Sequence, residues 1–150
     1  MIGLLQRVSG AFIEIEGVEI ARIGIGIVVL VAVERDDDET VAGRLIERLL
    51  NYRVFPDKAG RMNKSIVDVG GALLLVPQFT LAADTRKGLR PGFSTAAPAQ
   101  EGRRLFEVLL ELARRHMPGA QAGIFGANMQ VTLTNDGPVT FWIQVSRHGV

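Results

Sequence analysis

From Leu4 to Ile15 apolar and polar positions alternate loosely, the pattern of a half-buried strand. Glu16-Gly17 supplies turn chemistry into a second alternating run, Val18–Ile23. From Ile23 to Val33 the alternation stops. These 11 residues are almost wholly apolar and β-branched, which predicts a strand buried on both faces. Gly24 and Gly26 fall on one face of it and predict a bulge or close packing there. Then the period changes. Asp36-Asp37-Asp38-Glu39 places acids where a helix dipole is positive, and Val41, Leu45, Ile46, Leu49 and Leu50 recur at helical spacing up to about Tyr52.

Val54-Phe55 reads as a short strand and Pro56–Gly60 as a turn, while residues 63–69 fit no single period. Gly70-Gly71 breaks the chain before an apolar strand, Ala72–Pro77. Ala82–Ala97 reads as an irregular excursion carrying Arg86, Lys87 and Arg90. Pro98 opens a second amphipathic helix, with Leu105, Val108, Leu109 and Leu112 on one face. Arg114-Arg115-His116 ends it and Pro118-Gly119 stops it. Two strands, around Gln130–Thr134 and Val139–Val145, finish the chain. With no repeat, linker or low-complexity tract, residues 1–150 form one α/β domain with two main amphipathic helices.

At 150 residues the chain can bury a core without a disulfide or metal staple. The absence of cysteine removes thiol nucleophiles and thiolate metal sites, and fits a cytoplasmic protein. Met1–Arg7 lacks the pattern of a signal peptide, and 11 apolar residues are too few for a membrane helix. A net charge of +1 argues against a grip on long DNA or RNA; a nucleic-acid partner would be touched over a few nucleotides.

The candidate chemistry is sparse. Thr80 follows a strand end, where functional side chains are commonly presented. Its hydroxyl could attack or bond a substrate, and the N–H groups of Phe79 and Thr80 could hold an oxyanion if they escape sheet pairing. An edge threonine bonded to a nearby carbonyl fits the spacing as well, and no base for a nucleophilic threonine stands near it in the sequence. His116 and His148 are isolated, and Asp36–Asp38 reads as a helix cap, so neither a histidine triad nor a metal site is expected. Gly24-Ile25-Gly26 lies within a strand and lacks the third glycine of a dinucleotide loop. Phe125 and Met129 could clamp a flat ring or simply pack in the core. Asn135-Asp136-Gly137-Pro138 is ordinary hairpin chemistry.

Taken together, a series of segments resembles the D-aminoacyl-tRNA deacylases. It runs through Gln6-Arg7-Val8, Tyr52-Arg53-Val54-Phe55 and Met62-Asn63 to Gln78-Phe79-Thr80-Leu81-Ala82-Ala83-Asp84-Thr85. It continues with Arg90-Pro91-Gly92-Phe93-Ser94 and ends with Asn135-Asp136-Gly137-Pro138-Val139-Thr140-Phe141-Trp142. The resemblance implies mixed β-sheets forming a barrel-like core, a homodimer, and hydrolysis of the ester between a D-amino acid and the 3′ adenosine of tRNA. It implies no cofactor. It assigns Gln78, Phe79 and Thr80 to the reacting centre, Phe125 and Met129 to the terminal adenine, and Gly137-Pro138, with a cis bond, to a chiral filter that enters the partner's pocket. Arg7 would hold that filter. Glycine, being achiral, would pass it, making glycyl-tRNA a further substrate. One residue departs from the pattern: the family usually has serine where this chain has Pro77, and a related branch that edits L-amino acids also resembles it there.

Overall fold

The computed structural model describes residues 1–147 and 149. β1 (Ile2–Ile15) is the spine of the main sheet. β2 (Val18–Ile23) and β3 (Gly26–Ala32) run antiparallel to it, end to end along one edge: Ala11 faces Ile23, and Val8 faces Gly26. β6 (Ala72–Pro77) adds parallel to β3, and the two-residue β7 (Gln121–Ala122) adds parallel to β6. β8 (Gln130–Gln144) runs antiparallel along the other edge of β1. β2 curls toward β6 and β7, so the six-stranded sheet approaches a barrel. A small hairpin pairs β4 (Phe55–Pro56) with β5 (Met62–Lys64).

The expected single strand over Ile23–Val33 is broken. Gly24-Ile25 forms a bend, and β3 starts at Gly26. There a Cβ would lie 1.9 Å from the Ala72 carbonyl oxygen, so close approach of the β6 backbone requires glycine. The expected hairpin near the C-terminus is also absent. Both flanks of Asn135–Val139 pair with β1: Val8 faces Asn135, and Gln6 faces Thr140. Two steps on β1 therefore oppose five on β8, and the surplus residues loop out of one continuous strand.

α1 (Glu39–Asn51) starts at Asp38, whose Oδ1 accepts the Val41 N–H at 2.9 Å. This is the predicted acidic helix start, resolved to one capping residue. Its neighbour Asp37 is buried and accepts the Met1 amine at 2.6 Å and the Glu34 N–H at 2.7 Å. The ambiguous stretch contains α2 (Ile66–Val69), closed by a reciprocal cap between Ser65 and Asp68. α3 (Ala99–His116) packs with α1 over one face of the sheet.

Side chains on β3 and β6 divide between two cores. Ile27, Val29, Leu73 and Leu75 meet Leu45, Leu49, Leu105 and Leu109 of the helices. Val28, Leu74 and Val76 point the other way, toward Val8, Ile13 and Ile23. Each fully buried aliphatic side chain contributes about 1.5–3 kcal/mol. The central strands are thus fixed from both faces, and the end of β6 is held still. No helix among the described residues is long and apolar enough to cross a membrane.

Candidate active site

β6 stops where its backbone leaves β3. Gln78 makes the last bond, its N–H donating to the Val31 carbonyl oxygen at 2.7 Å. The chain then coils into a one-turn 3-10 helix, Phe79–Ala82. The first N–H groups of any helix lack a preceding carbonyl. Accordingly, the Phe79 and Thr80 N–H groups donate to no backbone carbonyl among the described residues, while Leu81 and Ala83 bond back to Gln78 and Thr80. Two free donors therefore sit side by side on the end of a rigid strand. The Gln78 amide donates to Thr80 Oγ1, fixing the hydroxyl. No carboxylate or imidazole bonds Thr80 among the described residues, so nothing seen there can take its proton. His116 ends α3, and His148 lies outside the described residues.

Beside these donors lies a mostly apolar cavity of about 440 Å³. Phe79 and Phe93 form one wall, their ring centroids 5.0 Å apart, and Phe125 contributes another. Pro77 and Arg35 complete the rim nearest β6. Phe79 lines the cavity while remaining 53% exposed. Met129 does not line the cavity. It stands behind the turn that carries Phe125, where its sulfur accepts the Ile124 N–H at 3.4 Å. A Cβ on Gly123 would come within 2.6 Å of that sulfur, so the turn is moulded on Met129.

The second group of residues is apart from the cavity. The loop bulging from β8 is exposed at Asp136, Gly137 and Pro138, and its Gly137–Pro138 peptide bond is cis. Asn135 staples its base: Oδ1 accepts the Val139 N–H at 2.7 Å, and Nδ2 donates to Thr140 Oγ1 at 2.9 Å. Arg7 reaches across from β1. Its Nε donates to the Asp136 carbonyl oxygen at 2.9 Å and its Nη1 to the Val54 carbonyl oxygen at 2.6 Å. The result is a projecting but braced backbone corner. Neither Gly137, Pro138 nor Arg7 lines the cavity within this chain.

Two contributors were not singled out in the sequence. Phe93 lies in the irregular excursion, with no periodicity to reveal that it meets Phe79. Asn135 was visible as turn chemistry, since asparagine side chains bond backbone two or more residues on, but its stapling role depends on the loop's shape. Among the described residues, no three His, Asp or Glu side chains gather as a metal set.

The geometry can be compared with known proteins. The model of the family described as D-Tyr-tRNA(Tyr) deacylase matches residues 4–144. A D-aminoacyl-tRNA deacylase of Alkalilimnicola ehrlichii is 60% identical over 144 residues, covering 96% of each chain. One from Pseudomonas putida is 57% identical over 145 residues, covering 97% of this chain and all of the relative. Among solved structures, a c-Myc DNA unwinding element binding protein superposes with a TM-score of 0.92 at 35% identity, covering 96% of this chain and 98% of that one. A probable eukaryotic D-amino acid tRNA deacylase gives 0.79 at 18% identity, covering 95% and 98%, and supports the fold alone. On this sequence match the chain belongs to the D-Tyr-tRNA(Tyr) deacylase family and is a tRNA-editing hydrolase.

Proposed function

We propose that the protein cleaves the ester joining a D-amino acid to the 3′-terminal adenosine of tRNA. The observation that carries this reading is the adjacency of an aromatic cavity and two free N–H donors. Phe79, Phe93 and Phe125 offer a slot for a base, and stacking on such walls suits a single nucleotide end. The Phe79 and Thr80 N–H groups would then face the ester carbonyl. Water adds to that carbonyl, negative charge develops on its oxygen, and the two donors stabilise it. The C–O bond to the ribose 3′ oxygen breaks, and that oxygen leaves with a proton.

Thr80 is fixed by an amide donor and has no base beside it among the described residues, which favours assistance by the tRNA's own 2′-hydroxyl over attack by Thr80. An aminoacyl ester is already activated, so positioning and oxyanion stabilisation supply most of what is needed. The step uses no cofactor.

Chirality would be read by backbone. The corner at Gly137-Pro138 is exposed, braced by Arg7 and Asn135, and takes no part in lining its own chain's cavity, as a wedge serving a second copy would be. A homodimer built along the exposed edge strand β8, where Trp142 is 53% exposed, would seat each corner in the partner's site. A wedge near Cα excludes an L-substituent whatever its chemistry and leaves the D-substituent free. Glycine has no substituent to exclude, so glycyl-tRNA mischarged on tRNA(Ala) is cut too.

Pro77 favours one second reading. It stands at the cavity rim, where the related L-editing branch also carries proline, and would accompany relaxed chirality. The test is deacylation of matched D-tyrosyl- and L-tyrosyl-tRNA with EDTA present. Loss of the D-ester alone is expected. Loss of both esters selects the second reading, and stoichiometric binding without turnover would reduce the protein to an RNA-end-binding module.

A further inference from the structure

Arg103 stands against Phe125, a wall of the cavity that Arg103 itself does not line. Its guanidinium carbon is 5.4 Å from the Phe125 ring centroid, and its Nη2 lies 3.6 Å from where a Cβ on Gly126 would be. Phe125 and Gly126 both line the cavity, so the guanidinium stands beside two of its lining residues, in a neighbouring groove. Its neighbour Arg104 is fully engaged, with Glu39 at 2.6 Å and Glu101 at 2.6 Å. Arg103 has no carboxylate within ion-pair distance among the described residues. Glu107, one turn further along α3, shares a shallow groove with it, yet the guanidinium lies over the ring instead. Cation–π attraction thus preorganises an exposed fork of donors without using them up.

Resting on the proposed function, we infer that Arg103 binds the phosphate on the 5′ side of the nucleotide seated in the cavity. The ribose of that nucleotide must turn its 3′ oxygen toward the Phe79 and Thr80 donors. Its 5′ carbon then leads away from them, toward the mouth. A guanidinium is matched in shape to two phosphate oxygens. Arg35, the other arginine at the cavity, is a poorer candidate. Its Nε already donates to the Ser94 carbonyl oxygen at 3.1 Å, and Glu34, Asp36 and Asp37 line the adjoining pocket. Arg103 has acids nearby too, Glu101 and Glu107, but Glu101 is paired with Arg104, and no carbonyl or carboxylate among the described residues occupies the Arg103 guanidinium.

The experiment measures equilibrium binding of adenosine and of adenosine 5′-monophosphate by calorimetry, beside deacylation of D-tyrosyl-tRNA. Wild-type protein is expected to bind the monophosphate roughly three- to tenfold more tightly than adenosine. Arg103→Gln should erase that preference while leaving adenosine affinity in place, and Arg103→Lys should keep part of it. The same Arg103→Gln change should raise KM for charged tRNA at constant kcat and lower the salt slope by about 0.7, the loss of one single-strand phosphate contact. An unchanged preference in Arg103→Gln, or its loss in Arg35→Gln instead, overturns the inference while the deacylase reading stands. Wild type that prefers the monophosphate without cleaving charged tRNA sinks the deacylase reading and leaves Arg103 as the phosphate contact. Binding of neither nucleotide overturns the inference, and the cleavage assay alone then decides the deacylase reading.

Discussion

Arg7 and Asp136 are joined across 129 residues of sequence by a 2.9 Å bond from the guanidinium to a main-chain carbonyl oxygen. The same guanidinium holds the Val54 carbonyl oxygen, so one β1 side chain ties the projecting β8 corner to the segment after α1. Arg7→Ala would strand both carbonyls and free the corner. Each hydrogen bond to a charged group contributes about 1.5–3 kcal/mol, less where the group is half-exposed. We expect a stability loss toward the lower figure, a roughly tenfold or greater fall in cleavage of D-tyrosyl-tRNA, and weaker discrimination against the L-ester. Arg7→Lys should rescue stability better than chirality, because one ammonium cannot span both carbonyls. The D to L rate ratio for the two variants, set against their melting temperatures, checks this. A ratio that never moves would separate Arg7 from chiral selection.

Acid should destabilise the fold, and the groups responsible can be named. Asp38 is held below the usual carboxylate range chiefly by the Val41 N–H, Asp57 by the Arg61 N–H, Asp68 by the Ser65 N–H and Asp84 by the Arg86 guanidinium. A carboxyl depressed in the fold contributes stability that is present above its unfolded value, about pH 4, and is lost as pH falls through its folded value. Asp37 runs the other way. Burial pushes it up, outweighing the Met1 amine and the Glu34 N–H, so its contribution is lost as pH rises. Glu19, Glu39 and Glu101 are depressed as well by their arginine partners, so seven carboxyls against one predict a nearly flat melting temperature down to about pH 5 and a decline below about pH 4. Asp68 is exposed and Asp38, Asp57 and Asp84 are half-exposed, so solvent screens these contacts and the decline should be gentle. Thermal scans across this range decide; rising stability toward pH 3 would mean that Asp37 dominates.

Thr80→Ala removes a hydroxyl held by Gln78 but leaves its N–H in place. With the substrate's 2′-hydroxyl assisting, the variant should keep activity within about tenfold of wild type. That range is the loss of a positioning contact worth no more than about 1.4 kcal/mol. Charged tRNA ending in 2′-deoxyadenosine should lose far more. Single-turnover rates for the two changes give the comparison. If Thr80→Ala is inert on a folded protein while the deoxy substrate reacts normally, Thr80 is the nucleophile.

The two long helices and most strands were legible because each follows one period for long enough, whereas the single turn of α2 was not. α1 shows Val41, Leu45 and Leu49 at helical spacing, and Asp38 caps it. The barrel-like sheet was not legible from periodicity, since closure depends on how β2 meets β6 and β7. The continuity of β8 was hidden for a sharper reason. Asn135-Asp136-Gly137-Pro138 suits a hairpin as well as a side loop, and what decides is pairing of both flanks with β1, more than 120 residues earlier. At the site, Thr80 announced itself only as a strand end. The freedom of its N–H follows from the 3-10 turn, which no local pattern distinguishes from continued strand. Phe93 and Arg103 gain meaning only from Phe79 and Phe125, their partners in space.

Gly137 is the position where the smallest change should tell most. Its φ is +149°, a conformation side chains rarely adopt, and a Cβ there would lie 2.6 Å from Val139 Cγ2 and 2.8 Å from the Val139 nitrogen. Gly137→Ala must therefore reshape the corner, because the clash is partly with backbone and cannot be relieved by a rotamer. The corner is exposed, so the fold should lose little, with a melting temperature within a few degrees of wild type. Cleavage of D-tyrosyl-tRNA should fall at least tenfold, and sedimentation should show the association state of wild type. This combination of intact fold, intact assembly and lost activity distinguishes a wedge from a strut. A large drop in melting temperature would make the glycine structural. Full activity on the D-ester with the L-ester still refused would place chiral selection elsewhere in the molecule.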